Sequence, residues 1–152
     1  MKEPKQLSVS AIENGTVIDH IPAKNLFKVI QILGLDRIES QITFGTNLES
    51  KRLGRKAIIK ISSIFFEDND INRIALVAPD AKLNIIKDYE VVEKRLVEVP
   101  DTITGIAKCM NPKCITNHER VITKFKVVSK KHVSLKCNYC EKITNQQNLQ
   151  II

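Results

Sequence analysis

A chain of 152 residues with 43% apolar and 27% charged residues has the ordinary balance of a globular protein, with room for one medium domain or two small ones. No apolar run approaches the roughly 20 residues needed to cross a bilayer, which excludes a membrane span; no membrane partner is expected. The polar opening Met1-Lys2-Glu3-Pro4-Lys5-Gln6 does not read as a signal peptide, so a cytoplasmic location with reduced thiols is expected.

Leu7 to Ala11 alternates apolar and polar residues, the period of a half-buried strand. Glu13-Asn14-Gly15 is a hairpin-turn signal, and Thr16 to Ile21 reads as the second strand. Pro22 suits the first turn of a helix that carries Ala23, Leu26, Phe27, Ile30 and Leu33 at helical spacing, and Gly34 is placed to end it. Gln41 to Leu48 alternates again, Ser50 to Gly54 is a loop, and Ala57 to Ile61 is a β-branched strand. Asp68 or Asn69 is placed to cap a second helix with Ile71, Ile74, Ala75 and Ala78 on one stripe, and Pro79 stops it. Lys82 to Ile86 and Tyr89 to Val97 complete the pattern as two more strands. The order β(β)αββαββ predicts an α+β fold, a ferredoxin-like antiparallel sheet with two helices on one face.

Val99-Pro100-Asp101 reads as a seam, which divides the chain into residues 1–99 and 100–152. The charge of +7 is concentrated beyond it, where residues 101–152 hold nine basic and three acidic side chains. An anionic partner follows, but charge alone does not choose between an acidic protein surface and a nucleic acid. Ile103 to Lys108, Val121 to Val128 and Val133 to Cys137 read as short strands of a small all-β unit, and Asn145 to Ile152 as a ragged tail.

All four cysteines lie in that unit, as Cys109-Met110-Asn111-Pro112-Lys113-Cys114 and Cys137-Asn138-Tyr139-Cys140. Two short-spaced pairs offer the four-sulfur tetrahedron of a structural metal, zinc first and iron second by ligand softness. Two disulfides require an oxidising compartment, and a redox Cys-x-x-Cys usually opens a helix, whereas strands flank this pair. Some 50 residues bury little apolar surface, so the metal is expected to supply stability to a zinc-ribbon-like fold. Four cysteine ligands leave no open coordination position, and the chain has neither a Walker loop nor Gly-x-Gly-x-x-Gly. Catalysis has no visible carrier. Asp19 and His20 are neighbours in a strand, so alternation sends them to opposite faces unless the backbone bends there.

Several segments occur together and in order. They are Asn14-Gly15-Thr16-Val17-Ile18-Asp19-His20-Ile21, Gly54-Arg55-Lys56, Ile59-Lys60-Ile61, Ala78-Pro79, Asn84, Tyr89-Glu90-Val91-Val92 and Lys94, followed by the two cysteine motifs. In this the chain resembles the aspartate carbamoyltransferase regulatory chains from end to end, apart from the termini. The resemblance implies a non-catalytic allosteric subunit of pyrimidine biosynthesis with a nucleotide-binding first domain. It implies a second domain that holds one structural Zn²⁺ and docks on the catalytic chain. CTP is the implied inhibitor and ATP the implied activator. The implied assembly is a regulatory homodimer through the first domain, within a dodecamer of six catalytic and six regulatory chains.

Carried over by position, Ala11, Ile12, Ile86 and Tyr89 surround the base, and Asp19 and Lys60 hold the ribose beside Val9 and Val17. His20, Val91 and Lys94 meet the phosphates, with Asn84 and Lys56 at the edge. Cys109, Cys114, Cys137 and Cys140 hold the metal, and Asn111, Glu119, Tyr139 and Lys142 contribute to the catalytic-chain interface. Lys82 departs from the family, in which a small polar residue is common at that rim position. The competing reading is a nucleic-acid-binding zinc ribbon; against it, Phe125 and Tyr139 are the only aromatics of the basic segment, thin material for stacking on bases. No nucleic-acid partner is expected.

Overall fold

The computed structural model describes residues 11–152. The chain divides into two compact units, Met1–Val97 and Glu98–Ile152. Val9 and the strand expected from Leu7 lie outside the described residues, except for Ala11.

The first unit is a five-stranded antiparallel sheet in the order β2-β3-β1-β4-β5. Its strands are β1 (Gly15–Pro22), β2 (Ile42–Ser50), β3 (Gly54–Ser62), β4 (Lys82–Lys87) and β5 (Glu90–Leu96). Period-2 alternation explains why one face is core. Ile18 of β1 lies between Ile59 of β3 and Leu83 of β4, and Thr16 lies between Ile61 and Ile85. All of these are buried, and the Thr16 hydroxyl donates to the Ile64 carbonyl at 2.7 Å. The interior also takes in Leu26, Val29 and Ile32 of α1 (Leu26–Leu33), Ile71 of α2 (Asp68–Asn72), and Ile74 and Leu76 of the 3-10 turn that follows. Each fully buried aliphatic side chain contributes about 1.5–3 kcal/mol, so this face holds the unit together.

Gly34 ends α1 in the left-handed conformation (φ 64°), where its lack of a Cβ removes the penalty. The expected α+β class is observed. The cap of α2 is a correction: Glu67, and not Asp68 or Asn69, holds the extended N-cap position, and Asp68 and Asp70 fall in the first turn. The favourable field of a helix N-terminus for carboxylates accounts for that placement as well as a side-chain cap would.

The second unit is a four-stranded antiparallel sheet in the order β6-β7-β8-β9. Its strands are β6 (Thr102–Thr104), β7 (Lys124–Ser129), β8 (Ser134–Cys137) and β9 (Ile143–Asn145). Ile103, Phe125, Leu135 and Thr144 are buried, while Lys124, Lys126 and Lys136 are exposed. Two expectations are corrected here. The first strand stops at Thr104, because Gly105 turns at φ 71° and its N–H bonds to the Thr123 carbonyl. The ragged tail is instead built in. After β9 the chain makes a 3-10 turn over Gln146–Asn148, Ile151 bridges Ala107, and Lys108 N–H donates to Gln150 O at 2.9 Å.

Candidate functional site

Opposite the core, the other face of the first sheet carries a row of cross-strand partners. Lys60 on β3 pairs with Val17 on β1, Val17 with Asn84 on β4, and Asn84 with Lys94 on β5. Partners in register share a face, so four residues far apart in sequence stand side by side. One step along β1, Asp19 pairs with Lys82; one step the other way, Gly15 pairs with Ile86, which pairs with Val91.

The Asp19–His20 expectation needs correction. His20 adopts φ 61°, and the pairing of β1 with β3 slips between Ile18 and Ile21. That bulge abolishes the alternation that would separate the two side chains. The His20 N–H donates to Asp19 Oδ1 at 2.6 Å, and His20 Nδ1 lies 3.6 Å from Asp19 Oδ2. A left-handed backbone at a non-glycine residue costs about 1–3 kcal/mol, so the surroundings must hold it in place. Lys56 Nζ sits 3.0 Å from Asp19 Oδ1, so the carboxylate is already neutralised from the β3 side.

Asp19, His20, Asn84 and Lys94 line one cavity of about 430 Å³ together with Lys82, Arg95 and Leu96. Ala11, Ile12 and Tyr89 are not in it. They line a second cavity of about 280 Å³ with Glu13, Asn14, Gln41, Thr43, Ser62 and Ser63. Thr43 is the register partner of Lys60 and Ser62 that of Gly15, so the row described above runs between the two groups. Lys60 is 9% exposed, and burial pushes its ammonium pKa down against the attraction of Asp19. Sequence reasoning left Gln41, Thr43, Ser62 and Leu96 out of the site. The face alternation of β2 and β3 could have found Thr43 and Ser62.

In the second unit the four Sγ atoms lie within 4.8 Å of one another. Cys109 and Cys140 are 3.6 Å apart and Cys114 and Cys137 3.7 Å, close to the roughly 3.8 Å edge of a tetrahedron with metal–sulfur bonds near 2.3 Å. The local sequence shapes both turns. Asn117 Nδ2 donates to the carbonyls of Cys109 and Asn111, and the Cys114 N–H donates to Asn111 O. The Thr116 hydroxyl and the Tyr139 N–H reach Cys114 Sγ and Cys137 Sγ, the kind of outer contact that fixes a thiolate. Burial raises the Cys109 thiol to about 12; at Cys140 burial acts upward too, but hydrogen bonds from the Lys142 N–H and the Asn111 side chain bring it to about 7. The donor set fits a closed metal site. Asn111 lies in the first cysteine turn, Glu119 follows it, Tyr139 lies within the second and Lys142 follows that one, the last three exposed.

Residues 7–98 match the family described as aspartate carbamoyltransferase regulatory chain, allosteric domain, and residues 101–150 match the metal binding domain of the same chain. The aspartate carbamoyltransferase regulatory chain of Bacteroides fragilis is 55% identical over 153 residues, covering all of both chains. Proteins of the same description from Thermococcus sibiricus and Pyrococcus abyssi are 53% and 51% identical, over 97% and 95% of this chain and 97% and 96% of theirs.

Proposed function

This chain belongs to the aspartate carbamoyltransferase regulatory chains, and from that premise we propose that it binds CTP and ATP on the open face of its first sheet and passes their effect to the catalytic chain. It is the regulatory and not the catalytic subunit, its second unit is a metal-binding domain, and its partner is the catalytic chain. Among the described residues no helix is long and apolar enough to cross a membrane.

The observation that carries the nucleotide reading is the convergence of Asp19, His20, Asn84 and Lys94 on one cavity, beside the row from Lys60 through Val17. A nucleotide needs cations for its phosphates, an acceptor for ribose hydroxyls and backbone groups for its base. His20 and Lys94 serve the first need with Val91 beside them, and Asp19 with Lys60 the second, Val17 lining that part. Ala11, Ile12, Ile86 and Tyr89 serve the third, and Lys56 and Asn84 border the site.

Zn²⁺ is the metal this donor set suits, bound once per chain by Cys109, Cys114, Cys137 and Cys140. The turns it holds present Asn111, Glu119, Tyr139 and Lys142 to the catalytic chain. The exposed Phe27 of α1 and Phe44 of the outer strand β2, packed edge to face, suit a homodimer contact of the first domain. Six such chains with six catalytic chains make the proposed cytoplasmic dodecamer. Effectors work by binding one quaternary state better than the other, since only differential affinity moves such an equilibrium.

The test is calorimetric. His20→Ala and Lys94→Ala are each expected to weaken CTP binding by roughly tenfold or more, the worth of one charge-assisted contact, while zinc content and assembly with catalytic trimers stay normal. Unchanged CTP affinity in both variants would sink the site.

A further inference from the structure

The second sheet is covered on one face only. Ile103, Phe125, Leu135 and Thr144 are buried on its inner face, and the residues that alternate with them along each strand point the other way. Thr102, Lys126, Lys136 and Ile143 stand there in register across the four strands, with Thr104 and Lys124 as the neighbouring pair on β6 and β7. All of these are exposed. Directly opposed partners lie roughly 5 Å apart at Cβ, and residues two apart on a strand roughly 7 Å, so Lys124, Lys126 and Lys136 form a close triangle of cations. No acidic residue stands on any of the four strands. Asp101, just before β6, is held by Lys130 at 2.7 Å, and Glu119 and Glu141 lie in the loops around the cysteines. Like charges directly opposite one another destabilise a strand pair, and an anionic partner relieves that repulsion.

We infer that this open face is a further contact for the catalytic chain, seating a carboxylate-bearing segment of it between Lys126 and Lys136 with Lys124 alongside. This rests on the reading above, in which the second domain docks on that chain. The face runs without a break into the turn assigned to that interface. Asn138, whose N–H donates to the Lys124 carbonyl, precedes Tyr139, and Ile143 follows Lys142. Two features favour a protein surface over a nucleic acid. Ile143 places a partly exposed apolar side chain in the row, and Phe125, the one aromatic on the four strands, is buried beneath it and offers bases nothing to stack on. Lysine is a hydrated point charge on a flexible stem, so an exposed cluster of this kind acts chiefly on the rate and the salt sensitivity of association.

The experiment mixes the full-length, metal-loaded chain with its own catalytic trimers and follows assembly by light scattering over a range of salt concentrations. It compares the natural sequence, the triple variant Lys124→Ser, Lys126→Ser and Lys136→Ser, and the control Lys51→Ser, which removes an exposed lysine from the turn between β2 and β3. The triple variant is expected to assemble roughly tenfold more slowly at low salt and to lose most of the salt dependence, while the control stays within about twofold of the natural rate. Its metal content is expected to be unchanged and its melting temperature to equal or exceed that of the natural chain, which shows that the loss is not one of folding. A triple variant that assembles at the natural rate with the natural salt dependence overturns the inference. So does a triple variant that assembles normally but no longer binds a generic single-stranded RNA that the natural chain binds, which assigns the face to nucleic acid. Failure of the natural chain to join catalytic trimers defeats the docking reading and this inference with it, whereas assembly indifferent to the three lysines defeats the inference alone.

Discussion

Gly15 opens the central strand of the first sheet, hydrogen-bonded between Ser62 of β3 and Ile86 of β4. Its φ is +141°, and a Cβ built on it would lie 2.0 Å from the Ile61 carbonyl oxygen and 3.0 Å from the Ser63 nitrogen. Gly34 is the natural control: φ is +64° there, but a Cβ would meet nothing within 4 Å. Gly34→Ala therefore carries only the left-handed backbone penalty, about 1–2 kcal/mol. Gly15→Ala carries a comparable penalty and must also force β1 away from a backbone atom that cannot rotate aside. Opening that pairing threatens the Ser63 N–H to Asn14 O bond and its neighbours, at about 1–3 kcal/mol for each buried group left unpaired. The sum is about 4 kcal/mol or more, a large part of the total stability of a small domain. Urea unfolding followed by far-ultraviolet circular dichroism, on the metal-loaded chain, measures both variants. Gly15→Ala is expected to lose at least about 2 kcal/mol more than Gly34→Ala. Equal losses would refute the steric reasoning, and with it the register that aligns the open face of the sheet.

Other outcomes follow from the same features. Exhaustive chelation should collapse the amide dispersion of residues 98–152 in a nitrogen–proton correlation spectrum while that of the first unit persists, because the small unit depends on its metal for folding; an unchanged spectrum would contradict this. Phe125, 1% exposed and paired with Cys137, should cost about 3–5 kcal/mol when replaced by alanine and speed metal loss to a chelator. Lys60 has a folded pKa below its ordinary 10.5 because burial penalises the charge, so folding disfavours the protonated form and the penalty is fully present at neutral pH. Lys60→Met should accordingly be more stable than the natural chain at pH 7, with the gap closing as pH rises toward 10.5 and the natural lysine sheds its proton in the folded state. A gap that widened with pH would reverse the assigned sign.

Where one periodicity governs a segment, the sequence was readable. Strand β3 is marked by its β-branched run, and the stripe from Leu26 to Leu33 ends where Gly34 supplies the left-handed turn. The cysteine cluster was readable because the chemistry of four thiolates constrains spacing more tightly than packing does. What failed depended on long-range contacts. Nothing local announces that the Asn145 to Ile152 segment returns to the chain just before Cys109, since its hydrogen bonds go to residues some 40 positions away. The bulge at His20 is likewise invisible in the apolar pattern, because a non-glycine residue in left-handed geometry has no compositional mark. Lys82 drew notice only as an odd residue at a rim. Its place opposite Asp19 on the open face is a property of register, not of sequence.

The returning segment has one more consequence. The Ile152 N–H donates to the Ile106 carbonyl and the Gln150 carbonyl accepts from Lys108, so two short hydrogen bonds clasp the run that feeds Cys109 into the metal turn. The fastening works like a zip whose slider sits at residues 150–152. Disrupting Gln150, Ile151 and Ile152 would free residues 106–108 before any ligand is touched. A change at three residues outside both cysteine turns would then register as faster exchange of the metal, making this clasp a sensitive place to read the unit's integrity.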